Sequence, residues 1–126
     1  MPLAADPPKR EDVGMASALD DARFRALSDA CLAAHADWLA SFDPDELDFR
    51  SADGVLTLEF GDGTRFVLNR QSATRQMWYA AGARAWHYDW DLARRTWHDD
   101  RDGHELAGNV ARTVAEKLGR PIEPPS

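Results

Sequence analysis

A single cysteine stands in 126 residues. Cys31 alone excludes an internal disulfide and a metal cage built only of cysteines. It falls in a helical apolar stripe, so packing is its expected role. No apolar run approaches the roughly 20 residues that a membrane-crossing helix needs. Residues 1–16 lack the apolar core of a secretory signal, and Asp6, Glu11 and Asp12 set them apart from an Arg-rich, acid-poor transit peptide. The expected location is the cytoplasm, with no membrane association. Catalytic signatures are also missing: there is no nucleophile elbow, no Gly-rich phosphate loop and no histidine pair at ligand spacing. The expectation is a protein without turnover of its own.

What is present suffices for one domain. Hydrophobic residues make up 44% of the chain, enough for a core and too many for a disordered polymer. The net charge of −7 is unevenly placed. Residues 17–62 hold 11 acids and 3 bases, whereas residues 63–126 hold 8 acids and 10 bases. The first half of the domain is an anion and the second is nearly neutral. Such a field repels nucleic acid and anionic lipid, and attracts cations and basic protein surfaces.

The order of patterns predicts the organisation. Residues 1–16, with Pro2, Pro7 and Pro8 and no apolar period, read as a disordered tail. Residues 17–41 read as a helix, opened by Ser17 with Asp20 in a capping-box-like start. Phe24, Leu27, Cys31, Ala34 and Trp38 recur at spacings of three and four, within roughly 80° of a wheel at about 100° per residue. They form the expected core stripe, which Phe42 extends. Leu32 and Leu39 lie on one flank, where a second helix would cover them, and His35 borders the stripe. Asp29 points away from the stripe, with Asp21 and Asp37 to either side of it. Pro44 ends the helix, and Asp43, Asp45, Glu46 and Asp48 crowd the junction that follows.

From Leu47 onward the period changes to two. Leu47 and Phe49 begin a first strand; Asp53-Gly54 signals a hairpin; Leu56, Leu58 and Phe60 point inward in the next. The stretch from Arg65 to Ala81 reads as two more strands. Phe66, Leu68, Met77 and Tyr79 share the core parity; Asn69, Gln71, Gln76 and Trp78 share the other. Trp86, Tyr88 and Trp90 continue inward and His87 outward, and a last short strand surrounds Trp97. Asp102 with Glu105 reads as a second capping box, followed by Leu106, Val110, Val114 and Leu118 on a helix that Gly119 and Pro121 stop.

Six or so strands with short connections make an antiparallel meander. Two amphipathic helices need one apolar sheet face, so both pack on it. The predicted fold is α+β, a two-layer sandwich, with a domain over 17–119 and a C-terminal tail over 120–126. The other sheet face stays wet, with Asn69, Gln71, Gln76, Trp78 and His87 on it. A large indole among amides is the composition of a contact site. The acids around Asp37 to Asp48 offer oxygen to hard or borderline cations such as Fe²⁺, in weak, exchangeable sites rather than a cage. His98, Asp99 and Asp100 are adjacent on one strand, so all three cannot converge on one ion.

GVLTLEFGDGTRFVLNRQ at residues 54–71, RQMWYAA at 75–81 and WHYD at 86–89 resemble the frataxin family, in its bacterial, CyaY-type branch. The likeness spans about residues 18–118. It implies the same two-helix, one-sheet sandwich and a role in iron–sulfur cluster assembly, as iron donor or as regulator of a cysteine desulfurase–scaffold complex. It further implies iron, weakly bound, at an acidic ridge. Carried over by position, and joined to the helix acids Asp21 and Asp29, the metal residues are Asp37, Asp43, Asp45, Glu46 and Asp48. The partner residues are Asn69, Gln71, Gln76, Trp78 and His87, on a chain expected mainly as a monomer. Ala40 and Ser41 stand where the family often carries acids, which thins the ridge. Two other readings stay open from sequence: a ferroxidase that detoxifies iron, and an acidic interaction domain that never meets metal.

Overall fold

The computed structural model describes residues 19–125. The tail expected at 1–16 and the Ser17 cap lie outside the described residues. Helix α1 (Asp21–Leu39) is opened by Asp20, whose extended backbone lets its carboxylate accept the Arg23 N–H at 2.7 Å. Asp20 is therefore the N-cap itself, not the third residue of a box begun at Ser17. Six strands follow: β1 (Leu47–Ala52), β2 (Val55–Phe60), β3 (Arg65–Gln71), β4 (Gln76–Ala81), β5 (Arg84–Asp91) and β6 (Thr96–Asp99). They pair antiparallel in sequence order as one open sheet. Helix α2 (Leu106–Leu118) ends on Gly119 in the left-handed conformation, as the sequence predicts.

The meander is set by its turns. At Asp53-Gly54 both residues have positive φ, 52° and 79°, the backbone of a primed two-residue hairpin. The inward parity holds across the sheet: Leu56, Leu58, Phe60, Phe66, Leu68, Met77, Tyr79 and Tyr88 are all buried. Both helices cover that face. Phe24 of α1 meets Trp97 edge-on at 6.0 Å, and Thr113 of α2 shares a 2.8 Å hydrogen bond with the Tyr79 hydroxyl.

Two sequence expectations are corrected. The side chains of α1 that bury fully are Phe24, Ser28, Leu32, His35 and Leu39. Leu27, Cys31, Ala34 and Trp38, expected as the core stripe, are only half-buried. The helix is rotated by about one residue, or ~100°, relative to the expectation. Leu32 and Leu39 join the sheet's core cluster, while Leu27, Cys31 and Ala34 line a groove shared with Leu106 of α2 and with Pro125. The wheel ranked residues by hydrophobicity alone. The wider apolar sector of α1 serves two neighbours, and the larger surface, the sheet, takes Leu32 and Leu39. The second correction is at α2. Glu105 is its N-cap and makes no side-chain cap bond. Asp102 does not cap the helix but accepts from the backbone N–H of His104 at 3.0 Å.

Residues 120–125 lie along α1. The Trp38 indole donates to the Glu123 carbonyl at 2.8 Å, Arg120 pairs with Glu46, and Ile122 packs against the core. No helix among the described residues is long and apolar enough to cross a membrane.

Candidate functional site

The register gathers the expected partner residues on the face that no helix covers. Asn69 lies directly across from Trp78, and Trp78 from His87. Gln71 lies across from Gln76 in the adjoining row. Trp78 is half-buried, and among the described residues no second layer covers it. Its ring stacks on His87 with centroids 4.3 Å apart and planes 18° from parallel. Its Nε1 donates to Gln76 Oε1 at 3.0 Å. The Gln76 amide nitrogen in turn donates to Asp89 Oδ1 and Asp100 Oδ2, both at 3.1 Å. His87 Nδ1 stands 3.9 Å from Asp100 Oδ2. The indole is thus held in one orientation by stacking and a bond to its only donor. An aromatic anchor fixed before contact loses little entropy when a partner covers it. The sequence reading missed Asp89 and Asp100 as members of this network. The parity of Asp89 with His87 was the available signal; the hydrogen bonds through Gln76 were not.

The seven expected metal acids form no cage. Asp21 bonds Arg75 at 2.8 Å, Asp29 pairs with Arg70 and lies 3.8 Å from Arg25, and Glu46 pairs with Arg120. Asp43 is used locally: its Oδ1 accepts the Asp45 N–H at 2.9 Å, and its carbonyl accepts from Glu46 and Leu47. Asp48 Oδ1 accepts the N–H of Phe49 at 2.8 Å. Asp37 and Asp45 are exposed. The junction itself is closely packed against the β2–β3 turn. Gly61 donates to the Glu46 carbonyl at 3.1 Å, and a Cβ on Gly61 would stand 2.5 Å from the Asp45 carbonyl oxygen. Only glycine lets the β2–β3 turn approach the acidic loop this closely. The Asp21–Arg75 and Glu46–Arg120 pairs face solvent, where such pairs contribute little and exchange readily.

Arg70, read from the sequence only as part of the Asn69-Arg70-Gln71 run, clamps β3 to α1. Its side chain is 9% exposed and pairs with Asp29, while Nη1 also donates to Ser28 Oγ at 3.3 Å. A Cβ on Gly54 would stand 2.6 Å from Arg70 Nη2, so the hairpin glycine clears the path of this arginine. Asn69 and Gln71 therefore project outward from a strand anchored inward to α1.

Among the described residues, one group of three brings ligand atoms together: Asp99, Asp102 and His104, all within 4.8 Å of one another. It replaces the adjacent run His98-Asp99-Asp100. The β6–α2 turn folds Asp102 and His104 back over Asp99, a convergence invisible to strand parity. The backbone N–H of His104, and then its ring, hold the Asp102 carboxyl below the usual carboxylate range. Cys31 offers no thiolate at neutral pH, because burial pushes its thiol up to about 12.

Two helices on one face of a six-stranded antiparallel sheet, with the other face open, define the frataxin-like class of α+β sandwich. The family described as the frataxin-like domain matches residues 17–120. The iron-sulfur cluster assembly protein CyaY of Dechloromonas aromatica is 37% identical over 105 residues, covering 82% of this chain and 97% of that one. The protein of the same name from Pseudomonas aeruginosa is 36% identical over 107 residues, covering 85% and 98%. The solved frataxin of Psychromonas ingrahamii superposes with a TM-score of 0.74 at 25% identity, over 83% of this chain and 97% of that one. A trimeric yeast frataxin, solved in a ferrous complex, shares the fold with a TM-score of 0.60 at 21% identity, over 86% and 95%. The chain belongs to the frataxin family, in its bacterial CyaY-type branch.

Proposed function

We propose that this chain is an iron-binding adaptor of iron–sulfur cluster assembly that docks on a cysteine desulfurase–scaffold complex in the cytoplasm, mainly as a monomer. The observation that carries the reading is the Trp78 patch: an indole stacked on His87 and held by Gln76, on a sheet face left open by both helices. Relatives at 36–37% identity carry the name of an iron-sulfur cluster assembly protein, which supports the same role here. In this reading Asn69, Gln71, Gln76, Trp78 and His87 meet the scaffold. Asp37, Asp43, Asp45 and Asp48 steer the complex toward a basic surface of the desulfurase and hold Fe²⁺ in passing, as cargo. Asp21, Asp29 and Glu46 take part only after leaving their arginines.

The test is binding of the full chain to purified desulfurase and scaffold, with and without Fe²⁺, across a salt series. Affinity that falls steeply with salt supports steering by the ridge. Binding that ignores both salt and the loss of Trp78 overturns the reading. Ferroxidase activity separates from iron carriage in stopped-flow oxidation under oxygen: carriage predicts no saturable multiple turnover.

A further inference from the structure

We propose that Asp99, Asp102 and His104, at the turn between β6 and α2, form a specific site for one divalent first-row transition ion, separate from the acidic ridge. Two independent observations fall on the residues of this turn. The first is convergence: one carboxylate oxygen from each aspartate and one imidazole nitrogen lie within 4.8 Å of one another. The second is an orphan. Asp99 is 6% exposed, and its Oδ1 is fully buried without a hydrogen-bond partner. The other oxygen, Oδ2, accepts the backbone N–H groups of Arg101 and Asp102, both at 2.9 Å, which pins the carboxylate to the turn. A buried carboxylate oxygen without a donor is costly. A dehydrated cation, smaller than a water molecule, is the kind of species that satisfies it.

The donor set selects the ion. Two carboxylates and an imidazole suit Fe²⁺, Mn²⁺, Co²⁺ or Zn²⁺ better than Mg²⁺ or Ca²⁺, which prefer oxygen throughout. The imidazole is already positioned from behind. His104 Nδ1 faces Asp102 Oδ1 at 2.5 Å, while Nε2 lies 2.7 Å from the Tyr88 hydroxyl, which accepts from Asn109 at 2.8 Å. An ion on Nδ1 requires the tautomer protonated at Nε2, which donates to the Tyr88 oxygen. This is the outer support that metal-bound histidines ordinarily carry. The ring also meets Trp86 edge-on at 6.2 Å. A cleft of about 400 Å³ opens beside Asp102 and His104, with Glu105 on its wall to offer a fourth oxygen. Arg112 borders the cleft, but its charge is directed to Glu116 at 2.8 Å.

Co²⁺ added to the full chain tests this, by calorimetry and by paramagnetic broadening of amide signals. The background is a chain with Asp43→Asn, Asp45→Asn and Asp48→Asn, which weakens the ridge. One Co²⁺ per chain is expected there, with broadening centred on residues 99–105. Asp102→Asn weakens it at least tenfold, and so does His104→Gln. The Asp102 side chain is 72% exposed, so its variant keeps the fold and decides the matter even where His104→Gln disturbs α2. Broadening confined to residues 37–48, or affinity unchanged by Asp102→Asn, overturns the proposal. Since the ridge is weakened and no partner protein is present, the outcome does not depend on the docking reading.

Discussion

The open sheet face and the acidic ridge are both polar, yet they are built on opposite principles. On the sheet, side chains hold one another: Trp78 stacks on His87, bonds Gln76, and Gln76 reaches two aspartates. On the ridge, side chains are held apart: Asp21, Asp29 and Glu46 by arginines, Asp43 and Asp48 by their own backbone, while Asp37 and Asp45 stand exposed. The first arrangement suits a surface that must fit a partner. The second suits one that only needs a sign of charge. The docking and the loose cation binding proposed above would therefore draw on different residues of one small domain.

The largest expected effect that bears on this contrast is Trp78→Ala. A central aromatic anchor accounts for about 2–4 kcal/mol of an interface, so scaffold affinity should fall by roughly two orders of magnitude. The thermal midpoint should barely move, since the indole is half-exposed and no layer among the described residues covers it. Loss of the fold instead would make Trp78 a core residue and dissolve the contrast. Next comes Arg70→Ala, which removes the clamp between β3 and α1. Chemical denaturation should show a loss of about 2 kcal/mol, from buried stem and lost hydrogen bonds, because Asp29 is left solvated. Scaffold affinity of the folded fraction should stay constant; a parallel fall would mean that the two regions are mechanically coupled.

Reversing Asp43, Asp45 and Asp48 to lysine should weaken desulfurase binding by about tenfold at low salt and flatten its salt dependence, as expected for steering charges. The same variant should lose Fe²⁺-induced broadening along residues 37–48. If scaffold docking collapsed to the same degree as in Trp78→Ala, the ridge would be more than a field. The smallest effect concerns pH. Burial lowers the pKa of His35 below its ordinary value, a shift only partly offset by its bond to the Cys31 carbonyl. The unfolded chain then binds a proton that the folded chain refuses. This stability is present above the unfolded pKa of about 6.5 and is lost as pH falls below it. Urea midpoints between pH 8 and 5 should decline, and His35→Gln should flatten that decline while leaving the sheet-face network untouched.

Much of this was legible in the chain. Parity placed Trp78 and His87 on one face and Tyr79 and Tyr88 on the other, and Asp53-Gly54 marked the first hairpin. Legibility failed where two surfaces compete for one element. Leu32 and Leu39 read as a flank of α1 because nothing in a helical wheel says which neighbour lies on which side. It failed again for the acids. Asp21, Asp29 and Glu46 meet arginines 54, 41 and 74 positions away, separations no local pattern encodes.

By itself, then, the sequence determined the element order, the turns and the wet face, because alternation and turn chemistry act between near neighbours. Only the tertiary structure decided which flank of α1 meets the sheet, which acids are spoken for, and that Asp99, Asp102 and His104 converge. Those outcomes depend on chain closure, which brings together groups whose separation along the chain carries no periodic signal.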